Sequence, residues 1–120
     1  MPEITRLTGF LGAEMSGVDL HTLDDPEVRS ALRSALSVHH VLVFRDQGLG
    51  IEEQKRLTSV FGELMQLPYV APIADDPAVI AVLKEADEDS GGVFGGAWHS
   101  DFSFLENPPA GSVLTAAEIP

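Results

Sequence analysis

Residues 98–104 read Trp-His-Ser-Asp-Phe-Ser-Phe, and this stretch carries the strongest pattern in the 120-residue chain. Polar and aromatic residues alternate along it with a period of two, as side chains do on the two faces of a β-strand. The pattern therefore predicts a strand with one polar and one aromatic face. The polar face would hold His99, Asp101 and Ser103, and the aromatic face Trp98, Phe102 and Phe104.

His99 and Asp101 form the candidate metal pair of the sequence. Side chains two residues apart on an extended chain can converge on one ion, and an imidazole beside a carboxylate suits iron(II) or another divalent first-row metal. The spacing alone is weak evidence, because a His–Asp hydrogen bond on a strand has the same pattern. The context favours a metal, since glycine-rich residues 91–96 precede the pair and would leave an open metal position accessible to substrate.

Composition limits the classes of protein to which the chain can belong. It has no cysteine, which excludes disulfides, thiolate metal sites and a cysteine nucleophile, so histidine and carboxylate remain as metal ligands. Its net charge of -12 opposes binding to nucleic acid. The apolar runs are too short to cross a membrane, and the first residues lack a secretory pattern. We expect a soluble, cytoplasmic protein with no nucleic-acid or membrane partner.

Upstream of the metal pair, apolar spacing predicts short strands and helices in alternation. Asp25 and Pro26 are typical of a helix start, and that helix should end near His39. His39 and His40 would then cap the helix or face solvent, and His21 would lie in a loop. The predicted strands are 4–7, 12–20 and 41–44, the last buried on both faces, and a second helix covers 51–61 and stops at Gly62.

The second half of the chain is predicted to contain more loop and more strand. Three prolines and two aspartates make residues 66–77 a long loop, and glycines make residues 84–97 a mobile one. Strands are predicted over 79–83 and from Gly111 to Ala116. We expect Trp98 to pack in the interior rather than contact substrate. This order of elements predicts an α+β fold, mainly β, with helices outside a sheet or barrel.

Four segments, in the same order, resemble the taurine dioxygenase family, which includes the phenoxyacetate-herbicide dioxygenases. The most specific is Trp98–Asp101 continuing through Glu106–Gly111, since it embeds the His-x-Asp pair in its expected frame. The supporting segments are Leu11–Leu20, Val43–Gln47 and Phe61–Leu64.

The resemblance implies a double-stranded β-helix, or jelly roll, with flanking helices, of which residues 1–120 would be the incomplete amino-terminal part. It implies an enzyme that uses Fe(II), 2-oxoglutarate and dioxygen to hydroxylate a small-molecule substrate, with His99 and Asp101 as two of three iron ligands. The third ligand, a histidine, and the arginine that anchors 2-oxoglutarate are expected beyond Pro120. A homo-oligomer is possible in the complete enzyme.

The resemblance also identifies candidate substrate-pocket residues. Taurine-specific members have a histidine and a tyrosine after Phe-Gly-Glu-Leu and an asparagine before Trp-His, and Leu67, Val70 and Gly95 stand at those places here. Tyr69 would replace the tyrosine if the loop shifts by one residue. We therefore expect a small organic acid or sulfonate other than taurine.

A second class of function stays open beside the enzyme. In that alternative, the chain is a non-catalytic acidic binding module that retains half of the jelly-roll fold. For the enzyme, we expect the 120-residue chain alone to be inactive and unstable as a monomer, because strands of a jelly roll pair across its two halves.

Overall fold

A computed structural model describes residues 1–72, 76–83, 85 and 96–119 of the chain. They form two compact units, one of Met1–Glu63 with Ser112–Pro120 and the other of Leu64–Gly111. The helices and strands lie in the first unit, and the candidate metal pair lies in the second.

The first unit is built on a three-stranded mixed sheet in the order β1-β2-β3. β1 (Glu3–Arg6) pairs antiparallel with β2 (Ala13–Ser16), and β2 pairs parallel with β3 (Leu42–Val43). The two parallel strands require a crossover connection, which the first helix supplies. The predicted pair of short amino-terminal strands is confirmed.

The first helix, α1, spans Pro26–His39 and has strong signals at both ends. The Asp25 carboxylate accepts a hydrogen bond of 2.8 Å from the Glu27 backbone N–H, and Pro26 occupies a position that needs no N–H. At the other end, His40 has φ +66° and donates its N–H to the Leu36 carbonyl at 2.8 Å. The predicted start and end of this helix are confirmed.

The second helix, α2, spans Ile51–Ser59 and is shorter than predicted. Its start is capped by the Glu53 carboxylate, which accepts from the Gly50 N–H at 2.6 Å. It ends before Gly62 because Val60 and Phe61 donate to carbonyls three residues back and tighten the last turn. Of the helices in the described part of the chain, none is long and apolar enough to cross a membrane.

The core of this unit lies between the sheet and the two helices. Its largest fully buried side chains are Leu20 and Leu23 in the loop before α1 and Leu32 within α1. Leu57 and Val60 at the end of α2 complete it, each at most 4% exposed. Met15, Val18 and Ala35 belong to the same cluster.

The prediction that residues 41–44 form a strand buried on both faces is wrong. β3 has two residues, both half-buried, and Val41 is 46% exposed. Among the described residues, β3 pairs with β2 alone, so it lies at an edge of the sheet, where one side of the strand faces solvent.

The second unit, Leu64–Gly111, has no regular helix or strand among its described residues. Residues 66–72 are irregular, as predicted, and the mobile loop predicted over 84–97 lies mostly outside the described residues. The predicted strands over 79–83 and 98–104 are not formed, nor is the strand predicted from Gly111 to Ala116. A strand needs a hydrogen-bonded neighbour, and the described residues supply none to these segments.

His21 is more than a loop residue, because its ring joins two neighbouring segments of the first unit. Its Nδ1 lies 2.8 Å from a Glu53 carboxylate oxygen, and its Nε2 lies 2.6 Å from the Gln47 carbonyl. Both partners can accept, so the protonated ring can donate from both of its nitrogens. The hydrogen bonds raise the pKa of His21, and the His21 hydrogen bond lowers the pKa of Glu53.

We predict that Leu32→Ala lowers the free energy of unfolding of the protein carrying this chain by about 2 to 5 kcal/mol, because it leaves a cavity at a fully buried position. Chemical denaturation measures the change. Val38→Ala, on the same helix at a side chain that is 59% exposed, is the matched control. Equal effects of the two substitutions would contradict the assignment of the core.

We also predict a pH-dependent contribution of the His21–Glu53 pair to stability. Because the pKa of His21 is raised, its contribution to stability is present below pH 6.5 and is lost as pH rises through the raised pKa. Because the pKa of Glu53 is lowered, its contribution is present above pH 4.5 and is lost as pH falls through the lowered pKa. The pair therefore stabilises most between these values. The Tm difference between wild type and His21→Gln should shrink from pH 5.5 to pH 9, whereas the difference for the control His39→Gln should change less.

Candidate metal centre

His99 and Asp101 lie in an irregular segment that bends, not in the regular strand that the alternation predicts. The bend follows Asp101, where Phe102 has φ +48°. This left-handed conformation ends any extended run, because a strand needs negative φ. The metal pair nevertheless comes together, with side chains that are 50% and 57% exposed.

The two side chains meet at a distance that suits a shared metal ion. Nε2 of His99 lies 2.9 Å from Oδ1 of Asp101. Nitrogen and oxygen ligands lie about 2.1 Å from a divalent first-row ion, so two ligands at a right angle are about 3.0 Å apart. The distance between the two atoms is therefore compatible with adjacent ligands of one ion, once both groups turn toward it.

The other ring nitrogen of His99 is held by the backbone. Nδ1 lies 2.7 Å from the carbonyl oxygen of Ala97, which can only accept, so Nδ1 is the donor. This hydrogen bond orients the ring and leaves Nε2 to face Asp101, which is the arrangement that metal-binding histidines commonly have. Residue types alone carried no signal for this contact, because every residue has a backbone carbonyl.

Nε2 of His99 and the Asp101 carboxylate form a hydrogen-bonded ion pair when Nε2 carries a proton. With Nδ1 already donating, an unprotonated Nε2 would place a lone pair against a carboxylate oxygen. The hydrogen bond to Ala97, aided by the charge and hydrogen bond of Asp101, raises the pKa of His99, so a proton can occupy the position. A divalent metal could replace that proton by lying to one side of the Nε2–Oδ1 line, with both groups turned toward it. The donor set therefore fits a metal.

The pair supplies two ligands. Across residues 1–72, 76–83, 85 and 96–119, no group of three or more histidine, cysteine or acidic side chains could hold an ion. A metal bound by His99 and Asp101 alone would keep its other positions open to small molecules or to further protein ligands.

The candidate pocket residues belong to the same unit as the metal pair. Leu67 and Val70 are half-buried, whereas Tyr69 is 92% exposed with φ +66°. Gly95 lies outside the described residues. No described hydrogen bond joins Tyr69 to His99 or Asp101, so the structure assembles the metal pair and leaves the pocket a prediction.

Trp98 does not pack in the interior, and that prediction is wrong. Its side chain is fully exposed, and residues Gly96–His99 line an open recess of about 400 Å³. The packing prediction assumed a regular strand with an aromatic back, which the bend after Asp101 does not allow. An exposed aromatic ring beside His99 leaves the approach to the metal position open.

An imidazole and a carboxylate are two of the three ligands of the 2-His-1-carboxylate site of non-haem iron(II) oxygenases. Comparison with known proteins agrees: the family model described as "Taurine catabolism dioxygenase TauD, TfdA family" matches residues 3–120. The chain belongs to this family.

Two curated relatives cover nearly the whole chain. It is 34% identical over 119 residues to an alkylsulfatase of Acinetobacter baylyi, a match of 98% of this chain and 36% of that protein. It is 30% identical over 119 residues to an alpha-ketoglutarate-dependent sulfate ester dioxygenase of Pseudomonas putida, covering 98% and 38% respectively. The chain thus spans little more than a third of the length of these relatives.

Solved structures of the same kind resemble the fold. A taurine dioxygenase from Burkholderia xenovorans superposes with a TM-score of 0.70 at 29% identity, over 90% of this chain and 37% of that one. The structure of AAD-2 in complex with Mn(II) and N-oxalylglycine gives a TM-score of 0.51 at 30% identity, over 52% and 25%. The structural neighbours are therefore dioxygenases of the same type.

We predict that His99→Ala and Asp101→Ala each weaken Mn(II) or Co(II) binding by about 100-fold or more, because each removes a direct ligand, and loss of an outer partner alone costs about 10- to 100-fold. Metal titration of the protein carrying this chain measures the change. His39→Ala, a histidine at the end of α1, is the control. Unchanged affinity in both ligand variants would exclude this pair as the metal site.

Proposed function

We propose that the protein carrying this chain is an iron(II)- and 2-oxoglutarate-dependent dioxygenase in which His99 and Asp101 provide two of the three metal ligands. One observation carries the proposal: Nε2 of His99 lies 2.9 Å from Oδ1 of Asp101, and the Ala97 carbonyl holds the His99 ring through Nδ1. The name of the Pseudomonas putida relative supports alpha-ketoglutarate, and the Mn(II) complex of AAD-2 supports a divalent metal. A jelly roll completed by further strands is the fold we propose for the whole enzyme.

The bound metal and 2-oxoglutarate would supply oxidative chemistry that no amino-acid side chain provides. The residues of this chain would hold and orient the metal ion. His99 offers a neutral nitrogen whose direction is set by the Ala97 carbonyl. Asp101 offsets part of the ionic charge and fixes the adjacent ligand position. A site with three protein ligands, of which His99 and Asp101 would be two, would leave the remaining metal positions to small molecules.

We infer that the substrate is an alkyl sulfate ester or a related small organic acid rather than taurine. Leu67 and Val70 are apolar and half-buried, so they suit an alkyl chain better than the amine of taurine. Two relatives are named for sulfate esters. Hydroxylation of the carbon that bears the sulfate would give an unstable product that releases an aldehyde and inorganic sulfate, with 2-oxoglutarate and dioxygen consumed and succinate and carbon dioxide formed.

The non-catalytic binding module remains the competing function. The feature that favours it is that the described residues supply two metal ligands, not three, in a protein of net charge -12. Such a module would hold a divalent ion weakly and form no succinate.

One experiment separates these functions and the substrates. We predict that hexyl sulfate supports iron-dependent formation of succinate. Sulfate release from hexyl sulfate should be at least about tenfold faster than sulfite release from taurine. A difference of about 1.4 kcal/mol in transition-state binding produces such a ratio. The assay uses the protein carrying this chain with iron(II), ascorbate, 2-oxoglutarate and air. His99→Ala should abolish the succinate signal, and His39→Ala should retain it.

Two outcomes would contradict the proposal. Metal binding without succinate from any substrate would favour the binding module. Faster oxidation of taurine than of hexyl sulfate would overturn the substrate inference while leaving the dioxygenase intact.

A further inference from the structure

Two serines flank the metal ligand Asp101 and are joined to each other. Oγ of Ser100 lies 2.8 Å from Oγ of Ser103, so one hydroxyl donates to the other across Asp101 and Phe102. We propose that this pair is a positioning clamp that sets the Asp101 carboxylate beside His99. The inference rests on the proposed metal site and adds two residues that do not touch the metal.

The backbone between the serines explains why a clamp is needed. Phe102 has φ +48°, a conformation that side chains other than glycine, asparagine and aspartate rarely adopt. Such a residue keeps this conformation only when its surroundings hold it there. The turn is held by three contacts: the serine pair, a hydrogen bond of 3.3 Å from Leu105 N–H to the Phe102 carbonyl, and the Phe102–Phe104 ring contact at 5.8 Å.

The turn matters to the ligands because of distance. On a regular strand, residues two apart are separated by about 6.6 Å along the chain, and their side chains stand roughly parallel. His99 and Asp101 instead bring Nε2 and Oδ1 to 2.9 Å. The serine contact spans Asp101 and so restrains the backbone dihedrals of Ser100 and Asp101, which direct the Asp101 side chain relative to His99.

The contacts also separate the roles of the groups. The serine hydroxyls bind each other, whereas Nδ1 of His99 is held by Ala97 on the opposite side of the ligand pair. The imidazole and the carboxylate are thus oriented by different neighbours. Loss of the serine contact should disturb Asp101 and leave the His99 ring in place.

The test compares Ser100→Ala, Ser103→Ala and the double variant in the protein carrying this chain. Each should weaken Mn(II) binding, measured by electron paramagnetic resonance, by about three- to tenfold, as expected for one hydrogen bond that orients a ligand. The double variant should equal the single ones, because all three lack the same contact. Ser103→Thr restores a hydroxyl and should recover affinity, and Ser112→Ala, at an exposed serine outside the turn, is the control.

A second readout distinguishes positioning from a general loss of structure. The visible absorption of bound Co(II) reports ligand geometry and should change in the alanine variants and return in Ser103→Thr. The thermal unfolding midpoint of each variant should stay within a few degrees of the wild type.

The outcomes separate this inference from the function on which it rests. The clamp alone would be overturned if the serine variants kept the Mn(II) affinity and Co(II) spectrum of the wild type while His99→Ala still lost metal binding. Multiplicative effects in the double variant would also overturn it, since they would mean that the two hydroxyls act separately. Failure of the wild type to bind Mn(II) would overturn the metal site and the clamp together.

Discussion

The packing of α1 against the sheet is the contact on which the rest of the first unit depends. β2 and β3 run parallel, so the chain has to cross between them, and α1 makes that crossing while burying Leu32 and Ala35. A helix of 14 residues is marginal on its own in water, and its stability comes from this buried face. Leu20 and Leu23 close the core from the preceding loop, next to the ion pair of His21 with Glu53.

A different constraint governs the metal pair. Nε2 of a ring held at Nδ1 lies 2.9 Å from a carboxylate oxygen of Asp101. A proton on Nε2 makes this contact a hydrogen bond, and in the function we propose a divalent metal replaces that proton. The hydrogen bond to Ala97 and the nearby Asp101 carboxylate raise the pKa of His99.

The predictions that succeeded depend on neighbouring residues in the chain. Asp25 and Pro26 start α1 through contacts within one turn, so its beginning could be read from the sequence. The predictions that failed depend on distant partners. The burial of β3 depends on how many strands flank it, and the exposure of Trp98 depends on a bend several residues later. Apolar and alternating sequence patterns predict neither the number of flanking strands nor the position of the bend.

The sequence by itself determined the family, and it singled out His99 and Asp101 as the candidate metal pair through the His-x-Asp frame at residues 98–111 and the cysteine-free composition. Only the tertiary structure decided which nitrogen of His99 faces the ligand position, since that depends on the Ala97 carbonyl. It also decided that the ligands meet through a turn and not along a strand. The physical reason is that the left-handed conformation of Phe102 is unfavourable locally and is held by contacts that form only in the folded segment.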